Sequence, residues 1–108
     1  MTPETQALLD ELDQEVGAFR RSFAVLAAVE FGLFDALAKA PQSAEALAAQ
    51  GYLGTRRLKA LLDLLVAYGY LGERDGLYAP APAYREAFSP ETPGNAQSRL
   101  AHLARIAP

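Results

Sequence analysis

The chain has 108 residues and a formal net charge of −3, enough for one domain with a modest core and too short for two. It has no cysteine, which excludes disulfides and thiolate metal sites, and one histidine, which excludes a histidine-based metal centre. Its longest apolar run, Phe23 to Val29, is seven residues against about 20 for a bilayer span, and no secretory signal precedes it, so a soluble, cytoplasmic chain is expected.

Alanine and leucine supply 22 and 17 residues, which favours helix throughout. Pro3 and Glu4 suit a first helical turn, where a missing N–H and a negative charge are tolerated. Leu8, Leu9, Leu12, Val16, Phe19 and Phe23 then recur at spacings of three and four, predicting an amphipathic helix that Gly17 could bend or break. From Phe23 to Val29 the helix is apolar on every side, and a helix of that kind is buried all round. So small a domain cannot wrap a helix by itself; a second subunit covering the other face is the economical solution. The expectation is a homodimer.

Gly32 ends this helix, and Phe34 to Ala38 are expected to form a short turn. Ser43 is the predicted N-cap of a helix over Ala44 to Ala49, with Glu45 in its first turn. Gly51 to Gly54 read as a tight connection with Leu53 buried, and Thr55 as the cap of a helix whose core face carries Leu58, Leu61, Leu62 and Leu65. Tyr70-Leu71 and Leu77-Tyr78 flank Asp75-Gly76, a two-residue hairpin signal. Helix, turn, helix and two-stranded wing is the winged-helix order, so the predicted class is a mainly α, winged-helix-like domain with a small β-wing. Pro80 and Pro82 close the second strand, and Pro82 opens a short helix through Phe88. Ser89 to Gly94 read as a loop, and Asn95 caps a last helix carrying Leu100, Leu103 and Ile106. That helix reaches Pro108 with an apolar face, which suggests a partner or a continuation.

No catalytic constellation is visible. Ser98 and His102 lie four apart on one helical face, but nothing nearby orients the imidazole for nucleophilic catalysis. Gly51-Tyr-Leu-Gly54 and Gly72-Glu-Arg-Asp-Gly76 match neither phosphate-binding glycine pattern, so they read as turns and no cofactor site is expected in this chain. Glu30, the acid in the apolar run, could reach a ligand; a paired or partly exposed carboxylate is the plainer alternative.

Charge bears on nucleic acid. Residues 1–16 carry five acids and no base, while the rest carries eight acids and ten bases, too weakly basic to attract a phosphate backbone. Arg56, Arg57, Lys59 and Arg74 sit where a winged helix would touch phosphate, and they carry the alternative of a dimeric DNA-binding regulator. Against it, the outward face continues through Ala60, Asp63 and Ala67, with no base-reading side chain after Thr55. A protein-interaction module is a third reading.

Four segments carry a resemblance: Glu30-Phe-Gly-Leu-Phe-Asp-Ala-Leu37, Ser43-Ala-Glu-Ala-Leu-Ala48, Arg57-Leu-Lys-Ala-Leu-Leu-Asp-Leu-Leu65 and Gly69-Tyr-Leu-Gly-Glu-Arg-Asp-Gly-Leu-Tyr78. In this order the chain resembles the N-terminal dimerisation domain of adenosylmethionine-dependent O-methyltransferases, the plant small-molecule type and its bacterial relatives. The likeness runs over about residues 16–88. One departure is Tyr78-Ala-Pro-Ala-Pro82, where the family usually has a leucine-threonine-proline step, and Pro80 there is expected to weaken the second wing strand.

The resemblance implies an all-α domain whose first helices intertwine with a second subunit and roof its substrate pocket. It implies a following Rossmann-like domain that binds S-adenosylmethionine and methylates a small, aromatic hydroxyl acceptor. None of that domain's residues fall within this chain, which is expected to be a single domain, inert by itself. The interface expected here comprises Phe19, Phe23, Leu26, Ala27, Glu30 and Phe31, with Phe19 and Phe23 also candidates for lining the pocket.

Overall fold

The computed structural model describes the backbone of residues 1–51 and 53–106 and the side chains of those up to Ala101. It begins with helix α1, Pro3–Glu30, which is capped where Thr2 Oγ1 accepts the Thr5 N–H and which has proline in its first turn. Gly17 does not interrupt it. One helical glycine costs about 1 kcal/mol relative to alanine, too little to break a helix anchored further along. At about 1.5 Å per residue α1 is some 42 Å long, more than the body behind it can cover. The radius of gyration is accordingly 16.0 Å, whereas a compact chain of this length would have about 13 Å.

The helix divides into two parts. Residues 1–23 are all exposed, including the whole predicted apolar stripe. At Ala24 the helix enters the core: Ala24, Ala28 and Val29 are buried, and Val25, Leu26 and Ala27 are half-buried. The run from Phe23 to Val29 is thus buried on one side only within the chain, because the other elements pack against a single face. A left-handed Gly32 (φ 67°) then turns the chain directly into α2, Leu33–Lys39. The expected turn at Phe34 is a two-turn helix, because Leu33, Phe34 and Leu37 together bury one apolar face.

Helix α3, Ala44–Ala48, starts at the expected Ser43, whose Oγ accepts the Ala46 N–H, and Ala49 is its C-cap. Helix α4, Thr55–Ala67, buries Leu58, Leu62 and Leu65, while Leu61 and the preceding Leu53 are half-buried. Its N-cap is Gly54 and no side chain caps it; Thr55, expected as the cap, is already the first helical residue. The rest of the Gly51–Gly54 connection includes Tyr52, which lies outside the described residues.

Strands β1, Leu71–Arg74, and β2, Leu77–Pro80, form an antiparallel hairpin with Leu71 opposite Pro80 and Arg74 opposite Leu77. Asp75 and Gly76 have φ of 54° and 79°, the left-handed pair that a two-residue turn requires. Pro80 does not abolish the strand. It occupies the terminal rung, where proline's missing N–H costs least. The far edge of β2 is also paired: Gln42 and Tyr78 exchange both backbone hydrogen bonds, at 3.1 and 2.8 Å.

A 3-10 turn at Pro82–Tyr84 leads into α5, Arg85–Phe88, which brings Phe88 onto Phe34 with ring centroids 4.1 Å apart. Helix α6, Ala96–Ile106, is capped as expected by Asn95, whose Oδ1 accepts the Ser98 N–H at 3.0 Å. It packs on the core end of α1, where Gln97 donates to the Val29 carbonyl at 2.8 Å. The expected apolar positions Leu103 and Ile106, and the His102 imidazole, lie outside the described side chains.

Candidate self-association surface

A dry face on a helix needs apolar side chains in register and something to exclude water from them. The outer part of α1 has the first and, within this chain, lacks the second. Phe19 is 69% exposed, Phe23 66%, Leu8 61% and Leu12 60%, and the Phe19 and Phe23 rings lie against each other with centroids 6.4 Å apart. Two phenylalanines and several leucines along one line form a contiguous apolar patch of the kind that marks an association site. An open groove beside the stripe is lined by Leu8, Glu11, Leu12, Gln14, Glu15 and Ala18. Every one of these residues is on α1, so among the described residues the groove has no opposite wall.

The six expected interface residues fall into three groups. Phe19 and Phe23 are the most exposed aromatic side chains of the stripe, while Leu26 and Ala27 continue it half-buried toward the core. Glu30 and Phe31 end the helix in exposed positions, Phe31 being 43% exposed and its C-cap. Glu30 makes no ion pair with any described residue, in line with the partly exposed alternative. With Phe31, Leu33, Leu47, Gln50, Leu53 and Leu58 it lines a cavity of about 190 Å³. Ligand pockets usually run to about 300–1,000 Å³.

Of the four cationic residues of the DNA-binding alternative, three lie on α4 and one on the wing. Arg56 and Arg57 are exposed in the first turn of α4, and Arg74 is exposed at the end of β1. Lys59 is already committed, with its Nζ 2.7 Å from Asp63 Oδ2 in an i,i+4 ion pair. The other Asp63 oxygen accepts the Tyr78 hydroxyl, so this network fastens the wing to α4. The Lys59 and Tyr78 hydrogen bonds hold the Asp63 carboxyl below its usual range, and the Asp63 hydrogen bond raises Lys59 above its own. Burial, reinforced by the bond to Asp63, pushes the Tyr78 phenol up. Asp63 thus pairs the charge of one of the four cations, although both side chains stay more than half exposed.

Several features of the site escape sequence reasoning. The Gln42–Tyr78 rung joins residues far apart in the chain, with no strand pattern around Gln42, and the Tyr78–Asp63 contact likewise needs the folded wing. Gln97 closing on Val29 has no local signal. The reach of the exposed stripe back to Leu8 was visible as periodicity, although periodicity does not distinguish a face turned to the chain's own core from one turned outward.

Among the described residues no group of three or more histidine, cysteine, aspartate or glutamate side chains could hold a metal ion, and no helix is long and apolar enough to cross a membrane. A dinucleotide-type cofactor needs a strand running through a glycine turn into a helix. Here β1 runs into a hairpin and β2 into Ala81-Pro82, so neither described strand leads through a glycine turn into a helix.

No curated protein matches the chain. Solved structures do. PigF with SAH is 31% identical at a TM-score of 0.74, over 95% of this chain and 29% of that one. Human N-acetylserotonin methyltransferase in complex with SAM is 26% identical at a TM-score of 0.76, over 97% of this chain and 32% of that one. CalO1, a methyltransferase in calicheamicin biosynthesis in its SAH-bound form, is 26% identical at a TM-score of 0.69, over 93% and 29%. The chain therefore spans less than a third of the length of each. The family model for the O-methyltransferase dimerisation domain matches residues 14–87. Spanning more than half of the sequence, that match establishes that the chain belongs to the O-methyltransferase dimerisation-domain family.

Proposed function

We propose that the chain is a single winged-helix domain that holds two copies of a small-molecule O-methyltransferase together and helps to shape its substrate pocket. The observation that carries this reading is the outer part of α1, whose apolar stripe from Leu8 to Phe23 has no cover in its own chain. Phe19, Phe23, Leu26, Ala27, Glu30 and Phe31 are the proposed interface, and Phe19 and Phe23 are also proposed to line the pocket. The chain by itself is inert. Methyl transfer from S-adenosylmethionine to a hydroxyl on a small, aromatic acceptor belongs to a further cofactor-binding domain of a longer, cytoplasmic enzyme. Support for that larger frame comes from the family and from relatives about three times as long with SAM or SAH bound.

Sedimentation velocity on the chain at micromolar concentration tests the reading. A homodimer is expected. A monomer that stays monomeric up to about 100 μM, where complexes of even about −5.5 kcal/mol would form, would refute it. Nucleic acid is not a partner in this reading, and a gel shift at low salt should show no retardation.

A further inference from the structure

Given self-association, the exposed face of α1 carries enough pattern to say how two copies meet. Leu9, Leu12, Val16, Phe19, Phe23, Leu26 and Glu30 alternate at spacings of three and four, a seven-residue repeat held over three heptads. This seam lies opposite the face on which Ala24 and Ala28 enter the chain's own core. The positions just after Leu12 and Phe19, on one edge of the seam, are Asp13 and Arg20. On the other edge stand Leu8, Glu15 and Ser22. Asp13 and Arg20 are exposed and make no ion pair with any described residue. Arg21 differs: its guanidinium lies 5.1 Å from the Tyr68 ring centre and is occupied within the chain.

In a two-fold antiparallel pair of helices, like edges face each other. We infer that two copies of this chain pair through α1 in antiparallel orientation, with Leu12 of one copy against Phe23 of the other and reciprocal Asp13–Arg20 ion pairs along one edge. The same register sets Val16 against Phe19 and Leu9 against Leu26, and puts Glu30 opposite Thr5 at each end. Charge selects it. A slip of one heptad in either direction brings Asp13 against Asp13 or Arg20 against Arg20. A parallel pair would stack Glu30 on Glu30 and set two front segments, each with five acids and no base, side by side.

Because the chain has no cysteine, introduced thiols report without background. A chain carrying L12C and F23C together is expected to form a covalent dimer under mild oxidation, whereas L12C alone and F23C alone are not. Within one helix these positions are about 16 Å apart, and in the antiparallel pair each stands about as far from its own counterpart, beyond disulfide reach. Self-linking of either single variant would overturn the antiparallel register. D13R and R20D are each expected to weaken the dimer about tenfold, each change removing two edge pairs and adding repulsion. D13R/R20D should restore it to near the starting affinity. Failure of that rescue in variants with unchanged thermal melts would also overturn the register. Sedimentation distinguishes the two levels: a dimer with the wrong cross-links removes only the register, whereas a monomeric parent chain removes the self-association reading with it.

Discussion

Residues 3–23 and residues 24–101 draw on the same side chains and put them to opposite use. In the body, Phe34 is fully buried against Phe88 and Leu62 and Leu65 are fully buried with it; in the outer part of α1, Phe19 and Phe23 stand about two-thirds in water. Helical propensity is similar in both. What differs is company: α2, α4 and α6 pack against α1, whose residues 3–23 all stay exposed, with the Tyr68 ring beside Arg21. In a folded protein most helical stability comes from packing an amphipathic face rather than from propensity. In the proposed reading a partner completes the outer segment, whereas the body buries its core within one copy.

That contrast can be broken most directly at the stripe. Replacing Phe19 and Phe23 by alanine strips four aromatic side chains from a dimer, each worth about 1.5–3 kcal/mol when fully buried. The dimer should weaken by roughly a thousandfold or more, while the thermal melt of a monomeric sample barely moves. A collapse of monomer stability in F19A/F23A, read by circular dichroism, would mean that the stripe serves the chain's own fold. The converse experiment is Phe34→Ala, expected to cost about 3–5 kcal/mol of folding stability by denaturant titration, because a buried aromatic is lost from a packed site. Any effect on the dimer should follow from unfolding alone.

Two smaller tests sharpen the body's side of the comparison. Ser43→Ala removes the Oγ that accepts the Ala46 N–H and should destabilise the fold by about 1 kcal/mol in urea. Tyr78→Phe removes the bond that ties the wing to Asp63 and should cost about 1 kcal/mol or less near neutrality. Its signature is in the pH profile. The Tyr78 pKa is raised above 10.0 on folding, so its contribution is complete below pH 10 and disappears as pH rises through the folded value. Y78F should flatten that alkaline loss. Asp63, lowered from 3.8, works in the opposite direction: its contribution is present above that value and is lost as pH falls through the folded one.

Local chemistry was legible in the sequence wherever the signal is itself local. Ser43 and Asn95 as caps, the Asp75-Gly76 turn, and Leu58, Leu62 and Leu65 as core positions all follow from neighbours within a few residues. The family block around Glu30 to Leu37 was legible as well. Thr55 misled because threonine is a good cap in general, whereas here Gly54 takes the extended conformation first. The one-sided burial of Phe23 to Val29 was out of reach, since which face of an all-apolar helix meets its own chain is decided by where α2, α4 and α6 land. The same holds for Gln42 meeting Tyr78.

Helix α1 passes from the core to its exposed tip as one uninterrupted rod, so it acts as a lever with its fulcrum near Ala24. Leu8 lies sixteen residues out, about 24 Å from that fulcrum, and a tilt of about 5° there would move it by roughly 2 Å. The side chains that set the angle are small and tightly held: Ala24, Ala28 and Val29, with the left-handed Gly32 just behind them. Enlarging Ala28, which is fully buried, should therefore be felt at the far end of the rod and in the angle between two assembled copies, well away from the altered atom.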